Sequence, residues 1–350
     1  MKIRTLLVDS SYLLKRSFYG AKDVYTSSFG HCGGLYTFMT TVRKLIKTHM
    51  INKVVLAWDG EGGGILRHYI DSEYKANRKT KEWHKRIEMT AAEIRREKEK
   101  EESILKQRKR IQAYAEELFL RQIEIDDVEG DDLIAAYCLQ YNNKEEIFLY
   151  SADRDFAQLL DLNISMIIPG IDEPLNKTNY IMHFDHHYTN ALVLKIICGD
   201  DADNIQGIHG WGEKTLLQHF PEIKFRHVTV KEICQKADEM NKQRIVEKKK
   251  PLKVFENLLK GVERLKTNYK LVNLRVPMLT EEAKEELLQL EVPLSSEGRG
   301  HKNLLKMMQE DEFLKIYTGT FVNYVEPFYT VIMNEKQLLT EYLKNNGGNL

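Results

Sequence analysis

Residues 129–155 read EGDDLIAAYCLQYNNKEEIFLYSADRD. Glu129, Asp131 and Asp132 open an apolar, helix-like run (Leu133, Ile134, Ala136, Tyr137), and Asp153 and Asp155 follow a strand-like run over residues 147–150. Five carboxylates thus bracket one helix and one strand, where an α/β fold opens its binding crevice. Like charges held that close repel and raise one another's pKa, so folding alone does not favour the cluster, whereas a hard divalent cation does.

Working outward, residues 3–8 (IRTLLV) form a continuous apolar run ending at Asp9, and residues 54–58 (VVLAW) form a second ending at Asp59. Runs that are apolar without alternation suit strands buried on both faces of a parallel sheet. Helix-like segments at 12–19 and 35–47 separate these two, and residues 122–125 and 164–168 supply further strands. An Asp at the carboxyl end of successive parallel strands places the acids on one rim. Residues 156–160 read as a short helix. The histidines of HFDHH (His183, His186, His187) have no Cys nearby and read as surface residues of a helix rather than metal ligands.

A chain of 350 residues is long enough for two domains, or for one large domain with an appendage. Its 52 Lys and Arg balance 52 Asp and Glu, so no global basic field advertises nucleic acid and any such surface is local. The four cysteines (Cys32, Cys138, Cys198, Cys234) lack CxxC spacing and fit free thiols in a reducing cytoplasm. Met1 runs straight into the first strand and no apolar run approaches 18 residues, which points to a soluble cytoplasmic protein with no membrane association.

Two local features break the neutral balance. Residues 75–110 carry fourteen Lys and Arg against seven Asp and Glu, contain neither Gly nor Pro, and read as helix. They suit either a solvated surface helix with i,i+4 pairs or, as their position directly behind Asp59 favours, an arm that attracts a phosphate backbone. Residues 196–220, IICGDDADNIQGIHGWGEKTLLQHF, add Asp200 and Asp203 and the glycines Gly207, Gly210 and Gly212 before a helix that starts near Glu213. Glycines there permit close backbone approach, which suits a phosphate-backbone cradle of the hairpin-between-helices kind, with a plain glycine turn between helices as the alternative. A second basic run, 242–253, either flanks the same track or is a plain exposed loop. Beyond residue 271 come helical segments such as 281–290 and a Gly/Ser linker at 295–300; the last fifty residues carry no readable motif.

Nine acids at strand ends and adjoining loops, Asp9, Asp59, Glu129, Asp131, Asp132, Asp153, Asp155, Asp200 and Asp203, exceed what one magnesium takes from protein and suit two cations acting on a phosphodiester. With these residues in view, the chain resembles the 5′-nuclease family of flap endonucleases and 5′–3′ exonucleases, in its phage-type stand-alone form. The matching motifs are LLVDSSYLLKRSFYG, VLAWDG, EYKANR, VEGDDLIA, SADRDFAQLL and GDDADNIQGIHGWGEKT, in the family's order over about residues 3–220, with TNYKLVNLRVP following.

The resemblance implies an α/β fold: a PIN-like core with a central, mostly parallel sheet over 1–190, a helical arch at about 75–118, a helix–three-turn–helix DNA-binding subdomain at 191–290, and an extension of unknown role at 291–350. It assigns Asp59, Glu129, Asp131 and Asp132, with Asp9 close by, to one metal and Asp153, Asp155, Asp200 and Asp203 to the other. The ions implied are two Mg2+, with Mn2+ able to substitute, and K+ at the glycine cradle. Lys75 and Arg78 would steer the scissile phosphate and stabilise its charge, while Tyr74, Gly207, Gly210, Gly212, Lys214 and Thr215 join them in binding DNA. Trp211 stands where the family usually has a small aliphatic residue. The implied activity is two-metal hydrolysis of DNA at a 5′ flap, nick or RNA–DNA primer junction during replication, by a monomer working with proteins such as a single-strand-binding protein or a polymerase. Two other readings stay open: a junction-binding protein with a lapsed nuclease site, and a PIN-type ribonuclease acting on single-stranded RNA.

Overall fold

Five strands build the central sheet of the computed structural model, which describes residues 2–345: β1 (Ile3–Asp9), β2 (Lys53–Asp59), β3 (Arg121–Ile125), β4 (Glu145–Tyr150) and β5 (Ile164–Ile167). Their spatial order is β3-β2-β1-β4-β5 and every neighbouring pair is parallel. The chain fills one side of β1 first and then crosses to the other, so the crevice expected of such a sheet opens at the carboxyl ends of β1 and β4.

Alternate residues of each strand feed opposite cores, as the period of two dictates. Leu6, Val8, Leu56 and Trp58 pack with the helices Ser10–Gly20 and Gly33–His49, whereas Leu7, Val55, Ala57 and Leu149 pack with the helix Gly130–Tyr141. Both faces are covered, which is why the strands read as unbroken apolar runs. A third core, built on Trp211, Phe220 and Phe255, holds the helices between Ala191 and Val272 together. Leu274, Ala283, Leu287 and Leu290 then return to the sheet and join its second core.

The charge-rich stretch forms two helices, Ala76–Glu88 and Ala91–Glu117, the second started by a capping box between Thr90 and Glu93. Glu, Lys, Arg and Ala favour helix even where few side chains are buried. Its second half, from Ile104 through Ile111, Tyr114 and Ala115, anchors in the first core.

Residues 291–350, expected as an extension without an assigned role, are part of that same core as far as residue 345. Leu304, Met308, Phe313, Tyr324, Phe328 and Val331 complete it, and Glu335 makes a buried two-pronged salt bridge to Arg121 at the start of β3, at 2.8 and 2.6 Å. Residues 346–350 lie outside the described residues. The HFDHH segment also departs from expectation, since it is a turn between short 3-10 segments rather than a helix. His186 is buried there, its ring beside Tyr180 and Phe184. Aromatic neighbours, not solvent, set its environment. Among the described residues no helix is long and apolar enough to cross a membrane, and all four cysteines are free.

Candidate active site

Each acid of the rim is placed by the turn that ends its strand. Asp9, the last residue of β1, caps the next helix by accepting the Tyr12 N–H at 3.0 Å, and it receives a second hydrogen bond from Ser151 Oγ at 2.9 Å. Asp59, ending β2, accepts the Gly130 N–H at 2.9 Å and so fixes where the Gly130–Tyr141 helix begins. Asp153 accepts the Asp155 N–H at 2.8 Å and starts the short 3-10 helix after β4. Asp200 and Asp203 come from the small hairpin that follows the Ala191–Cys198 helix.

Glu129, Asp131, Asp153, Asp155, Asp200 and Asp203 line one narrow pocket of about 30 Å³, with Arg67 and Tyr74 on its wall. That volume admits one or two guests the size of a water or ion, at roughly 10–15 Å³ each. Asp9 and Asp59 sit outside the lining but within the field of Asp131. Asp131 is the node: burial above all, then the charges of Asp153, Asp9, Glu129 and Asp59, push its carboxyl far above the ordinary range. Burial likewise lifts Asp9 to about 6 and Asp155 to about 7, the latter helped by Asp153. Asp153 is raised by burial, with the charges of Asp203 and Asp200 adding to it. Oxygen-only, buried and mutually repelling, this donor set fits hard divalent cations.

Asp132 is placed differently from its expected role. Both of its oxygens engage Arg67, and one also accepts the Met278 N–H at 3.0 Å. Successive helical residues point about 100° apart, so Asp131 and Asp132 do not both face the pocket. Among the described residues no three His, Cys, Asp or Glu side chains are set at metal-holding spacing. The acids are instead drawn to cations of the chain itself. Arg67 reaches Glu129 at 2.6 Å, Lys75 also bonds Glu129, and Lys195 bonds Asp200 and lies 3.1 Å from Asp155. Although burial opposes it, Lys195 holds the Asp200 carboxyl below its usual value.

Arg67, Lys195 and Ser151 were not singled out in the sequence. Lys195 left a signal, being the one charge in the apolar helix ALVLKIIC, where a half-buried ammonium requires partners. Arg67 left less, a lone base after a glycine run.

Tyr74, Lys75 and Arg78 do converge on this site. The Tyr74 hydroxyl donates to Glu129 at 3.0 Å, and burial, then Glu129, keeps it protonated. Arg78 bonds Asp203 at 2.6 Å. Lys75 adopts a left-handed backbone (φ +54°) at the foot of the arch and donates its N–H to the Asp203 carbonyl at 2.8 Å. A lysine held in that conformation is strained, and such strain concentrates at working sites.

The glycine cradle lies on the same hairpin. A Cβ on Gly207 would sit 2.1 Å from the Cys198 carbonyl oxygen, and Gly210 has φ +86°. Gly212 and Lys214 are exposed and Thr215 half-buried, at the start of the helix Glu213–His219. Trp211 packs inward, stacked on Phe220 and Phe255 with its Nε1–H on the Val254 carbonyl at 2.8 Å, so the larger side chain anchors the turn from beneath.

Residues 4–191 match the family described as 5′-3′ exonuclease, N-terminal resolvase-like domain. The 5′-3′ exonuclease of Halalkalibacterium halodurans is 27% identical over 252 residues, 68% of this chain and 77% of that protein. That of Mycoplasmopsis pulmonis is 27% identical over 226 residues, 63% of this chain and 67% of that protein. Among solved structures, the bacteriophage T5 flap endonuclease, in a pseudo-enzyme–product complex with DNA and metal ions, superposes with a TM-score of 0.63 at 19% identity, covering 87% of this chain and 99% of that one. The structural likeness establishes the PIN-like α/β fold, and the family match establishes the rest: this chain belongs to the 5′–3′ exonuclease family, a group of nucleases.

Proposed function

We propose that the protein is a divalent-metal-dependent, structure-specific 5′-nuclease that hydrolyses phosphodiesters near single-strand/duplex junctions and removes primers or flaps during replication. The observation that carries this is the pocket lined by six carboxylates from three chain segments, three of which, Asp131, Asp153 and Asp155, are raised by burial and by the charge of neighbouring acids. The T5 relatives whose structures hold metal ions and DNA support it.

Glu129, Asp131, Asp153, Asp155, Asp200 and Asp203 would hold the ions, with Asp9 and Asp59 behind them; Mg2+ is the natural choice and Mn2+ a substitute. Bound there, divalent cations supply Lewis-acid activation of water and stabilise charge on the phosphodiester. Around them, Arg67 and Tyr74 fix the Glu129 carboxylate from two sides, and Asp132 acts through Arg67 as a positioning residue. Lys75 and Arg78, now resting on Glu129 and Asp203, are placed to turn toward an incoming phosphate and stabilise the charge that develops on it. The helical unit up to Val272, through Gly207, Gly210, Gly212, Lys214 and Thr215, would grip the duplex by its backbone, with K+ at the cradle.

The test is one incubation of labelled 5′-flapped duplex with magnesium against an EDTA control. Release of the 5′ strand in magnesium alone is expected. Binding without cleavage would favour the lapsed junction binder, and preference for unpaired RNA would favour a ribonuclease.

A further inference from the structure

A cavity of about 600 Å³ lies away from the acids. It lies between the far end of the Ser10–Gly20 helix, the loop after it and the upper arch, lined by Phe18, Tyr19, Tyr25 and His31 with Lys22, Arg96 and Lys100 at its edge. From it we infer a second nucleic-acid site: a stacking pocket for bases of the unpaired 5′ strand. The inference rests on the 5′-nuclease reading and deepens it.

The chemistry of the lining favours that guest. Tyr19 and Tyr25 are large aromatics left 51% and 63% exposed. Beneath them Phe18 meets His31 edge to face at 4.6 Å, and Tyr25 lies 5.1 Å from the same imidazole. The floor is rigid. His31 is held by the Ala21 carbonyl at 3.0 Å on one nitrogen and by Gln107 at 3.2 Å on the other. Gln107 is itself fully buried and accepts the Leu35 N–H at 2.8 Å. At the edge, three bases face one acid, Glu99; Lys100 also pairs with Glu97 at 2.9 Å, an exposed contact that a phosphate can outcompete. Aromatic faces for any base, with scattered positive charge for the backbone, are what single-strand binding uses. Neither a duplex nor an apolar peptide needs both.

Position supports it as well. Asp9 caps the very helix whose last turn carries Phe18 and Tyr19, so pocket and acids sit at opposite ends of one 11-residue helix. At 1.5 Å per residue they are separated by about 15 Å, roughly four nucleotides at the stacked spacing of 3.4 Å. At that stacked spacing a 5′ strand fills the distance to the pocket with about four unpaired nucleotides.

The test uses the Tyr19→Ala/Tyr25→Ala double variant, whose changes fall on exposed rings away from the acids. Wild type and variant are compared on a nicked duplex and on one with a ten-nucleotide 5′ flap. In EDTA, the same flap carries 2-aminopurine at its fifth or sixth nucleotide. Stacking losses of this kind are about fivefold or more per base. The expected result is a KM raised by at least about that factor on the long flap alone, with the aminopurine fluorescence quenched by wild type and not by the variant. Equal KM values on the long flap, equal loss on both substrates, or identical quenching would overturn the pocket. If wild type cleaves neither substrate, the nuclease reading fails, and the quenching comparison still decides the pocket.

Discussion

The two ends of the sheet treat charge in opposite ways. At the amino-terminal end Lys53, Arg121 and Glu145, each the first residue of its strand, are buried with Glu335 in opposite-sign pairs: Lys53–Glu145 at 2.7 Å and the two-pronged Arg121–Glu335. Thr5 and Tyr137 complete the hydrogen bonding of Glu145. At the carboxyl-terminal end, acids face acids and burial pushes Asp9, Asp131, Asp153 and Asp155 upward. A fold under stability pressure alone satisfies its buried charges, as the first end does. The second end keeps a repulsion that protons or a cation from outside would relieve, which marks it as the candidate working end.

The comparison breaks most visibly at Glu335. Replacing it with Ala leaves Arg121 buried without its partner, and we expect a loss of about 3–5 kcal/mol in urea unfolding. A loss below about 1 kcal/mol would mean the paired end is ornamental. Lys75→Ala should do the reverse, with stability nearly unchanged and single-turnover cleavage slowed about 10²–10³-fold, as when a transition-state donor is removed. A variant that loses only affinity would reduce Lys75 to backbone positioning. Lys195→Met takes the chain's own cation from Asp155 and Asp200. Stability in EDTA should fall by about 1–3 kcal/mol, and the rise in Tm on adding magnesium should grow. An unchanged magnesium response would show that Lys195 does not compete with magnesium for Asp155 and Asp200.

The smallest effect concerns pH. Asp9 and Asp155 have folded values of about 6 and about 7, above their unfolded value of 3.8. Between those limits the folded chain holds more protons than the unfolded one, so their contribution is full below about pH 4 and is lost as pH rises to about 7. In EDTA the Tm should therefore drift down across that window, and magnesium should restore more of it at pH 8 than at pH 5. A drift in the opposite sense would place the repulsion elsewhere.

The acidic end was legible in the sequence because a strand end and a carboxylate are both local signals. Asp9 after residues 3–8, Asp59 after 54–58 and Asp153 after 147–150 needed only the right period to be put on one rim. The paired end was not legible, because Arg121 and Glu335 are 214 residues apart and nothing local in either announces the other. The same holds for the carboxyl-terminal helices, whose apolar residues show a face without showing what covers it. Asp132 is the intermediate case. Its neighbour faces the pocket, and helical phase alone already set the two apart, but the partner that claims it, Arg67, is revealed only by the fold.

The account stands or falls on Asp131, which burial first and then the charges of Asp153, Asp9, Glu129 and Asp59 push well above the ordinary range. Asp131→Asn removes the ionisable group from the pocket and keeps the shape. Melting in EDTA and flap cleavage in magnesium, measured on the same preparation, test it directly. The prediction is a higher Tm together with a rate at least about a thousandfold lower, the trade expected when function holds a site in an unfavourable state. A lower Tm with cleavage intact would contradict it.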